Sequence, residues 1–190
     1  GALNLPANLE SANCGRNGFT SVGNLPFSLI DFYIYENQIN SLPTLPASLK
    51  TLSCGNNPMT SPLPVLPDSL ETLSAYQCNL SVAPLLGSNL NTIDLRHNQL
   101  TTIDSFPLSA TIINISENLI TTLPNIPENV KRLYVSNNLL TSIPYIPDSI
   151  NTFHFDHNQI TTIDSIPKYC SLIIGSYNQI SILPNLPSYS

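Results

Sequence analysis

The sequence predicts a solenoid of about nine stacked coils, with short parallel strands along its concave face. Three observations lead to this fold. An asparagine returns every 20 residues, with a single spacing of 21 at a cysteine. Apolar and polar residues alternate just before each asparagine, as in a strand with one buried face. A proline-rich segment then returns the chain to the next strand. The nine marker residues are Asn17, Asn37, Asn57, Cys78, Asn98, Asn118, Asn138, Asn158 and Asn178.

Each marker lies in one repeated pattern, which residues 90–100 show clearly. They follow L-x-x-L-x-L-x-x-N/C-x-L, the pattern of leucine-rich repeats (LRRs). We expect Asn98 to end the strand and to bond backbone groups of its own turn and of the next coil. Cys78 can replace asparagine because a buried thiol is accepted at that position. Leu100 and Ile103 are expected to point inward.

The return leg predicts a convex side without regular helices. Segments such as Leu42-Pro43-Thr44-Leu45-Pro46 favour extended, polyproline-like geometry, since proline fixes φ and restricts the residue before it. The fold class is therefore an LRR solenoid of the α/β-type horseshoe class that is nearly helix-free. The extra residue of the longer repeat lies in residues 61–67. We expect it to form a convex bulge that leaves the strand register unchanged.

The composition restricts the classes of partner. Only 9% of residues are charged, and the formal net charge is −6, so nucleic acid is a poor partner. No apolar run approaches the roughly 20 residues of a membrane span, so membrane insertion is not expected. The unbroken period predicts one LRR domain over residues 1–190. The chain begins Gly1-Ala2-Leu3 and starts and stops inside a repeat, so we expect a piece of a longer protein.

The four cysteines are predicted to be free. Cys14 and Cys54 occupy the same inward position two coils apart, so about 10 Å separates them, which is too far for a disulfide. Cys78 lies at the asparagine position and Cys170 at the first leucine position. We therefore expect all four to be small buried hydrophobes.

The outward strand and turn positions concentrate the reactive side chains. These 45 of 190 positions hold five of six basic residues, seven of twelve acids, all three histidines and five of eight tyrosines. One interpretation is simple exposure to water. We favour recognition of a ligand at the concave face, because solenoids commonly bind there. The predicted ligand-binding residues are Arg16, Tyr33, Tyr35, Glu36, Lys50, Tyr76, Asp94, Arg96, His97, Glu117, Lys131, Arg132, Tyr134, His154, Asp156, His157 and Tyr177.

Two patches are predicted on this face. The first joins Tyr33, Tyr35 and Glu36 to Tyr76 and Lys50, and it supplies aromatic anchors with mixed charge. The second extends from Asp94 to His157 and is also mixed in sign, which suits a protein better than a phosphate backbone.

Catalytic and metal motifs are not predicted. His154, Asp156 and His157 allow a metal-site interpretation, but no second shell of supporting residues is recognisable, so solvated binding residues are favoured. Serine is too abundant for a Ser-His-Asp triad to be inferred. The sequence contains no glycine-rich phosphate loop and no HExxH or CxxC motif. We predict no enzyme activity and no cofactor.

Hydroxyl pairs follow most of the markers and form a second ladder. A regular hydroxyl array suggests ice binding, whereas the local alternative is a turn that favours Ser and Thr; we expect one hydroxyl of each pair to point inward. Residues Asn79-Leu80-Ser81 and Asn114-Ile115-Ser116 match glycosylation sequons. The clearest pairs are Thr20-Ser21, Thr60-Ser61, Thr101-Thr102, Thr121-Thr122, Thr141-Ser142 and Thr161-Thr162.

The repeat unit resembles a known family. The 20-residue unit with Leu-Pro-x-Leu-Pro before the strand, as in residues 42–49, is similar to the LRR domains of type III secretion effectors of the Yersinia outer protein M and invasion-plasmid-antigen classes. This resemblance implies binding of host proteins at the concave face. Some members of these classes carry a C-terminal ubiquitin ligase domain, but no ligase cysteine motif is present in this sequence.

These observations predict a non-catalytic module that binds a protein through its concave face. The module would act as a secreted virulence or interaction protein, located outside the producing cell, at its surface or inside a host cell. One alternative is a cell-surface adhesion protein whose tyrosines stack on glycans. Another is the substrate-recognition domain of a ubiquitin-ligase effector.

Overall fold

A parallel sheet of nine strands runs along one face of the computed structural model, which describes residues 1–182. We number coils 1 to 9 by their marker residues, from Asn17 in coil 1 to Asn178 in coil 9. No residue from 1 to 182 is helical, and the predicted LRR solenoid is confirmed. The last proline-rich leg, residues 183–190, lies outside the described residues. The strands are β1 (Ala2–Leu3), β2 (Ser11–Asn13), β3 (Ser21–Val22), β4 (Asp31–Tyr33), β5 (Thr51–Ser53), β6 (Thr72–Ser74), β7 (Thr92–Asp94), β8 (Ile112–Asn114), β9 (Arg132–Tyr134), β10 (Thr152–His154) and β11 (Leu172–Ile174).

Each strand of the main sheet is short because only its central residue and the inward residues near it reach the core. Leu52 and Ile93 at strand centres are fully buried, while their neighbours within the strand are partly exposed. Equivalent positions pair directly across the sheet, so that Leu52 lies opposite Leu73 and Ile93 opposite Ile113. Stacking coils in this way joins all the inward residues into one continuous apolar core.

The asparagine ladder connects each coil to the coil before it. The Asn98 side-chain carbonyl accepts hydrogen bonds from the backbone N–H groups of Cys78 (3.0 Å) and Leu80 (2.9 Å). Its amide donates to the backbone carbonyls of Ala75 and Leu95, both at 2.9 Å. The predicted bonds to its own turn are therefore confirmed, whereas the prediction that the other partners belong to the next coil is wrong, because they belong to the preceding coil.

The reason is the direction of the backbone bonds in the sheet. After the strand, the N–H groups of alternate residues donate toward the following coil, as Leu95 N does to the Asn114 carbonyl at 2.8 Å. Where the strand ends, that carbonyl is no longer available. The asparagine of the following coil supplies a side-chain carbonyl in its place, so a turn is completed only when the next coil has been added.

Cys78 reproduces half of this function. Its thiol donates to the carbonyl of Cys54 at 3.2 Å and to that of Tyr76 at 3.5 Å. A thiol, however, has no carbonyl oxygen to offer to the preceding coil. Met59 N, which occupies the position that asparagine normally bonds, instead donates to the Asn57 carbonyl within its own turn at 2.8 Å.

A left-handed residue precedes every marker of the ladder. These nine residues have φ between 51° and 57° although none is glycine, and this conformation costs roughly 1–2 kcal/mol for a side chain with a Cβ. The sharp turn that brings the marker amide under the strand requires it. The residues are Arg16, Glu36, Asn56, Gln77, His97, Glu117, Asn137, His157 and Tyr177, and Asn79 is a tenth left-handed residue, after Cys78.

The insertion leaves the sheet intact, as predicted. Thr51 pairs with Thr72 across the longer repeat, and Ser53 pairs with Ser74. A cleft of about 120 Å³ lies beside the inserted residue, between residues 59–62 and residues 79–82. The extra length is therefore absorbed away from the strands.

The edge beyond the ladder carries a second, fragmentary set of parallel contacts that was not predicted. Strand β1 pairs with β3, and isolated bridges join Ser142 to Thr162 and Thr162 to Ile182. Both members of every hydroxyl pair along this edge are exposed, so the prediction that one points inward is wrong. The inward positions are taken by the residues on either side of each pair, such as buried Leu100 and Ile103.

The convex leg places its apolar residues partly as predicted. Leu45, Ile126 and Ile146 are buried between prolines, whereas Leu42 and Leu123 are half-buried. No helix among residues 1–182 is long and apolar enough to cross a membrane.

The cysteines differ from prediction in one respect. All four are free thiols, and Cys54 and Cys78 are buried, but Cys14 and Cys170 are half-buried. Those two lie in coils 1 and 9, where packing from one side is thinner than in the middle of the stack.

We expect the ladder to contribute unequally along the solenoid. Asn98→Ala would leave several buried backbone groups without partners. The free energy of unfolding should therefore fall by about 3 kcal/mol or more. Asn17→Ala is the matched control, because exposed Asn17 donates only within its own turn, to Cys14 and Gly15. Urea unfolding followed by circular dichroism measures both variants. Equal losses would contradict the proposed role of the bonds between coils.

Candidate functional site

The concave face presents the outward side chains of the main sheet and of the turn that follows it. All seventeen predicted binding residues lie at these positions, either within the strands of the main sheet or in the segments that adjoin them. Successive coils place equivalent residues in rows along the solenoid axis, about 4.8 Å apart. The structure therefore brings the predicted residues onto one surface, and whether they bind a ligand remains a prediction.

The left-handed residues form the edge of this surface, which we call the rim row: residues 16, 36, 56, 77, 97, 117, 137, 157 and 177. Neighbours in the rim row contact each other in pairs. The Arg16 Nε lies 3.2 Å from Glu36 Oε2, and His97 Nδ1 lies 2.6 Å from Glu117 Oε2. The backbone constraint of the turn thus has a second effect, because it aligns polar side chains along one edge.

The next row inward, which we call the tyrosine row, begins Gly15, Tyr35, Gly55, Tyr76 and Arg96. A Cβ atom added to Gly15 would lie 2.5 Å from Cζ of Tyr35, and one added to Gly55 would collide with the ring of Tyr76. Each tyrosine therefore extends toward the preceding coil and lies over a glycine. The Arg96 guanidinium is 5.3 Å from the Tyr76 ring centroid.

The hydroxyl group of Tyr76 has a raised pKa. Burial is the main cause that raises the pKa of Tyr76, and the nearby carboxylates of Glu36 and Asp94 raise it further, against the opposing effect of Arg96. Charged groups from coils 2 and 5 therefore lie near the Tyr76 ring. That the first patch acts as one binding site remains a prediction.

Most charges near the tyrosine row are already paired. Lys50 Nζ lies 3.0 Å from Glu71 Oε1, and Arg96 Nε lies 3.5 Å from Asp94 Oδ2. Burial raises the pKa of Asp94 in spite of that partner. Exposed pairs of this kind add little stability, so their main effect is to reduce the net field at this part of the surface.

The second patch contains a short chain of contacts across coils 7 to 9. The Ser136 hydroxyl donates to Asp156 Oδ1 at 2.5 Å, and His157 Nδ1 lies 2.9 Å from Asp156 Oδ2. The His157 ring stacks on Tyr177 with centroids 4.3 Å apart. Burial raises the pKa of Asp156, but the Ser136 and His157 contacts outweigh it, and the net result is a lowered pKa.

This arrangement does not match a catalytic triad. In a triad the imidazole stands between the hydroxyl and the carboxylate, so that it can take the hydroxyl proton. Here the carboxylate of Asp156 stands between Ser136 and His157. Among residues 1–182 no group of three or more His, Cys, Asp or Glu side chains is placed to hold a metal ion, so the metal-site alternative gains no support.

Free polar groups occupy the middle of the second patch. Within the described residues, Lys131 and Arg132 make no salt bridge, and both are exposed. Tyr134 follows on the same strand face and meets His154 edge-on, with ring centroids 4.9 Å apart. His154 Nε2 is buried and has no hydrogen-bond partner in the described structure, which is an uncommon arrangement for a polar atom.

Three contributors to this surface were missed at the sequence level. Gly15 and Gly55 were not selected, although glycine alternates with tyrosine at one repeat position. Ser136 was not selected because serine is frequent at exposed positions and nothing in the sequence distinguished it.

The two glycosylation sequons lie in different settings. Exposed Asn79 has a left-handed backbone. Asn114 lies in β8 on the concave face, where its side-chain oxygen accepts a hydrogen bond from Ser116 N.

Comparison with known proteins identifies the same fold in bacterial proteins. A family model described as Leucine Rich Repeat matches residues 89–110. YopM from Yersinia pestis has a TM-score of 0.88 and 28% identity, over 94% of this chain and 52% of that one. YopM from Yersinia enterocolitica gives 0.83 and 25%, over 97% and 45%. A Shigella effector LRR domain gives 0.63 and 29%, over 92% and 71%.

These likenesses define what the chain resembles. It is an LRR solenoid similar to the LRR domains of YopM and of the Shigella effector, as the repeat sequence predicts. The chain spans about half the length of the YopM structures. No curated protein is significantly similar to it in sequence.

The contacts of Asp156 give a prediction with a defined sign. Ser136→Ala removes the donor at 2.5 Å, so the pKa of Asp156 should rise toward its ordinary value. Because the native pKa is lowered, the carboxylate stabilises the fold above its unfolded pKa and loses this contribution as the pH falls through the native pKa. The Ser136→Ala variant should show a smaller loss over that acidic range.

Carboxyl carbon shifts followed by NMR against pH would measure the pKa of Asp156 directly. Ser116→Ala is the control, since Ser116 holds the equivalent position one coil earlier and its side chain donates to no carboxylate in the described structure. An unchanged Asp156 titration in Ser136→Ala would contradict the assigned hydrogen bond.

Proposed function

We propose that this chain is a non-catalytic protein-binding module that recognises its partner with the concave face. One observation carries the proposal: the 45 outward positions hold twelve of the eighteen charged residues, where an even spread would place roughly four. The edge beside the ladder, formed by the third and fourth residues after each of the nine markers, is also exposed, but it holds no charged residue in any coil. Exposure alone therefore does not explain where the charges lie.

The second patch is the proposed centre of recognition. Paired charges elsewhere on the face satisfy one another, whereas Lys131 and Arg132 remain available for carboxylates of a partner. Tyr134 and His154 border them and offer aromatic surface. Tyrosine and arginine are the residue types that most often dominate binding energy at protein interfaces.

The likeness to bacterial effectors supports a secreted role. The structures with high similarity are described as a leucine-rich effector protein from Yersinia pestis and a Shigella effector LRR domain. We propose that residues 1–190 form one LRR domain of a bacterial protein that acts outside the producing cell, at its surface or inside a host cell. An LRR solenoid is typically a binding scaffold rather than a catalyst.

Affinity capture from host-cell and bacterial lysates tests the proposal. A Lys131→Gln, Arg132→Gln variant should lose the protein that the parent retains, and retention by the parent should weaken as salt increases. Lys168→Glu is the control, because it changes the net charge by the same amount at a site away from the concave strands. Both variants must first show the parent's circular dichroism and unfolding midpoint.

Two results would contradict the proposal. One is equal retention of every captured protein by the parent and by the Lys131→Gln, Arg132→Gln variant. The other is loss of the captured protein in Lys168→Glu as well, since that would indicate a general effect of charge rather than recognition at the second patch.

A further inference from the structure

Two tyrosine rings lie face down on the concave sheet. A Cβ on Gly15 would lie 2.5, 2.7 and 2.8 Å from Cζ, Cε1 and Cε2 of Tyr35. Nearly equal distances to three adjacent ring atoms place that point under the ring face rather than at its edge. The Tyr76 ring covers Gly55 in the same way, with Cδ1, Cε1 and Cζ as the nearest atoms. One face of each ring thus lies on backbone, and the opposite face is directed away from the sheet. Beside the Tyr76 ring the Arg96 guanidinium, which pairs with Asp94, lies 5.3 Å from the ring centroid.

The alternation of glycine and tyrosine sets the distance between these two rings. Gly15, Tyr35, Gly55 and Tyr76 occupy one row in coils 1 to 4, so the rings are two coils apart, or about 10 Å along the solenoid axis. A side chain larger than glycine at residue 15 or 55 would lift the ring from the sheet. The row therefore provides two flat aromatic surfaces of the same orientation, repeated every second coil.

The surroundings of the rings are polar but internally neutralised. Arg16 pairs with Glu36, and Lys50 pairs with Glu71, so these side chains offer hydrogen bonds without a large net field. The adjacent row, which the sheet aligns in register, consists of Asn13, Tyr33, Ser53 and Ser74. It contains no charged residue and presents amide and hydroxyl groups. Lys131 and Arg132, which make no salt bridge within residues 1–182, lie three coils beyond Tyr76.

We infer that the concave face of coils 1 to 4 is a binding site for an uncharged, extended polysaccharide of β-1,4-linked pyranose units. The chain would lie along the solenoid axis with alternate sugar rings on Tyr35 and Tyr76, and the sugar on Tyr76 would displace the Arg96 guanidinium from that ring. This inference goes beyond the proposed protein partner and uses different residues from the second patch.

Sugar chemistry fits this geometry in three ways. The axial C–H groups of a β-pyranose form a flat apolar face that packs on an aromatic ring. In an extended β-1,4 chain each unit is turned by about half a revolution relative to the last, so every second unit presents the same face in the same direction. The length of two such units is close to the spacing of two coils, about 10 Å. The hydroxyl groups at the edges of the sugars would meet Asn13, Ser53, Ser74 and the paired charges.

Saturation-transfer NMR and calorimetry with defined hexasaccharides test the inference. Cellohexaose and the β-1,4-linked hexamer of N-acetylglucosamine are the probes, and maltohexaose, whose α linkages curve the chain, is the control. We expect saturable binding of at least one β-linked hexamer and none of maltohexaose. Saturation should be strongest at the axial C–H protons. Because the chain has 8 tyrosines and no tryptophan, tyrosine fluorescence supplies a second readout.

Variants separate the ring surfaces from the rest of the fold. Tyr35→Ala and Tyr76→Ala should each weaken the affinity by roughly tenfold. Gly55→Ala is the sharper variant, because it keeps every aromatic group but obstructs the position of the Tyr76 ring; it should weaken binding to a similar extent. Gly55 does not have a positive φ, so alanine is compatible with its backbone. Tyr145→Ala, at an exposed tyrosine in the proline-rich leg of residues 143–147, should leave the affinity unchanged.

The results that would overturn the inference are distinct from those that would overturn protein binding. Failure of both β-linked hexamers to bind, or binding that Tyr35→Ala, Tyr76→Ala and Gly55→Ala leave intact, would remove the polysaccharide site. If these variants instead lose a captured protein while no hexamer binds, the rings belong to the protein interface. A Lys131→Gln, Arg132→Gln variant that binds the hexamer normally would show that the two sites are independent.

Discussion

The structure depends on one interaction, the bidirectional hydrogen bonding of the marker asparagine. Its carbonyl accepts from the coil before it, and its amide donates both to that coil and to its own turn, as Asn118 does for Leu100, Leu95 and Ile115. A strand of three residues could not fix the position of its neighbour alone. The asparagine adds a second point of attachment where the strand ends, and together they hold the coils in register. The rows of the concave face are a direct result.

The same turn imposes a conformational cost that the chain meets in every coil. Nine residues without the freedom of glycine adopt a left-handed backbone, and the buried hydrogen bonds that follow offset the cost. In return, the rim side chains are held along a single edge, where His97 Nδ1 lies 2.6 Å from Glu117 Oε2. Architecture and recognition surface therefore share a cause, because the geometry that completes each coil also fixes the direction of the rim side chains.

Much of the fold follows from the sequence because its periodicity is strong. The alternation around Ile93, the asparagine spacing and the proline legs predict the sheet, its register and the absence of regular helices, all of which the described residues show. The direction of the Asn98 bonds could not be predicted, since it depends on which coil's carbonyls are missing at the turn. The exposure of both Thr101 and Thr102 was also missed, because the inward positions belong to Leu100 and Ile103 on either side of the pair. At the site, the repeat register placed the outward residues correctly. It could not reveal that Tyr76 lies on Gly55 or that Ser136 contacts Asp156, because those contacts depend on side-chain rotamers.

The cysteine in the ladder has a consequence for how the molecule comes apart. Folding of a solenoid is cooperative only as far as each repeat is coupled to its neighbour. At every other junction in coils 1 to 9 an asparagine carbonyl links two coils, but at Cys78 that link is missing and Met59 N is bonded within its own turn. The coupling energy between coils 3 and 4 is correspondingly smaller. We therefore expect partial unfolding to begin by separation at that junction, within the stretch that carries Tyr35 and Tyr76.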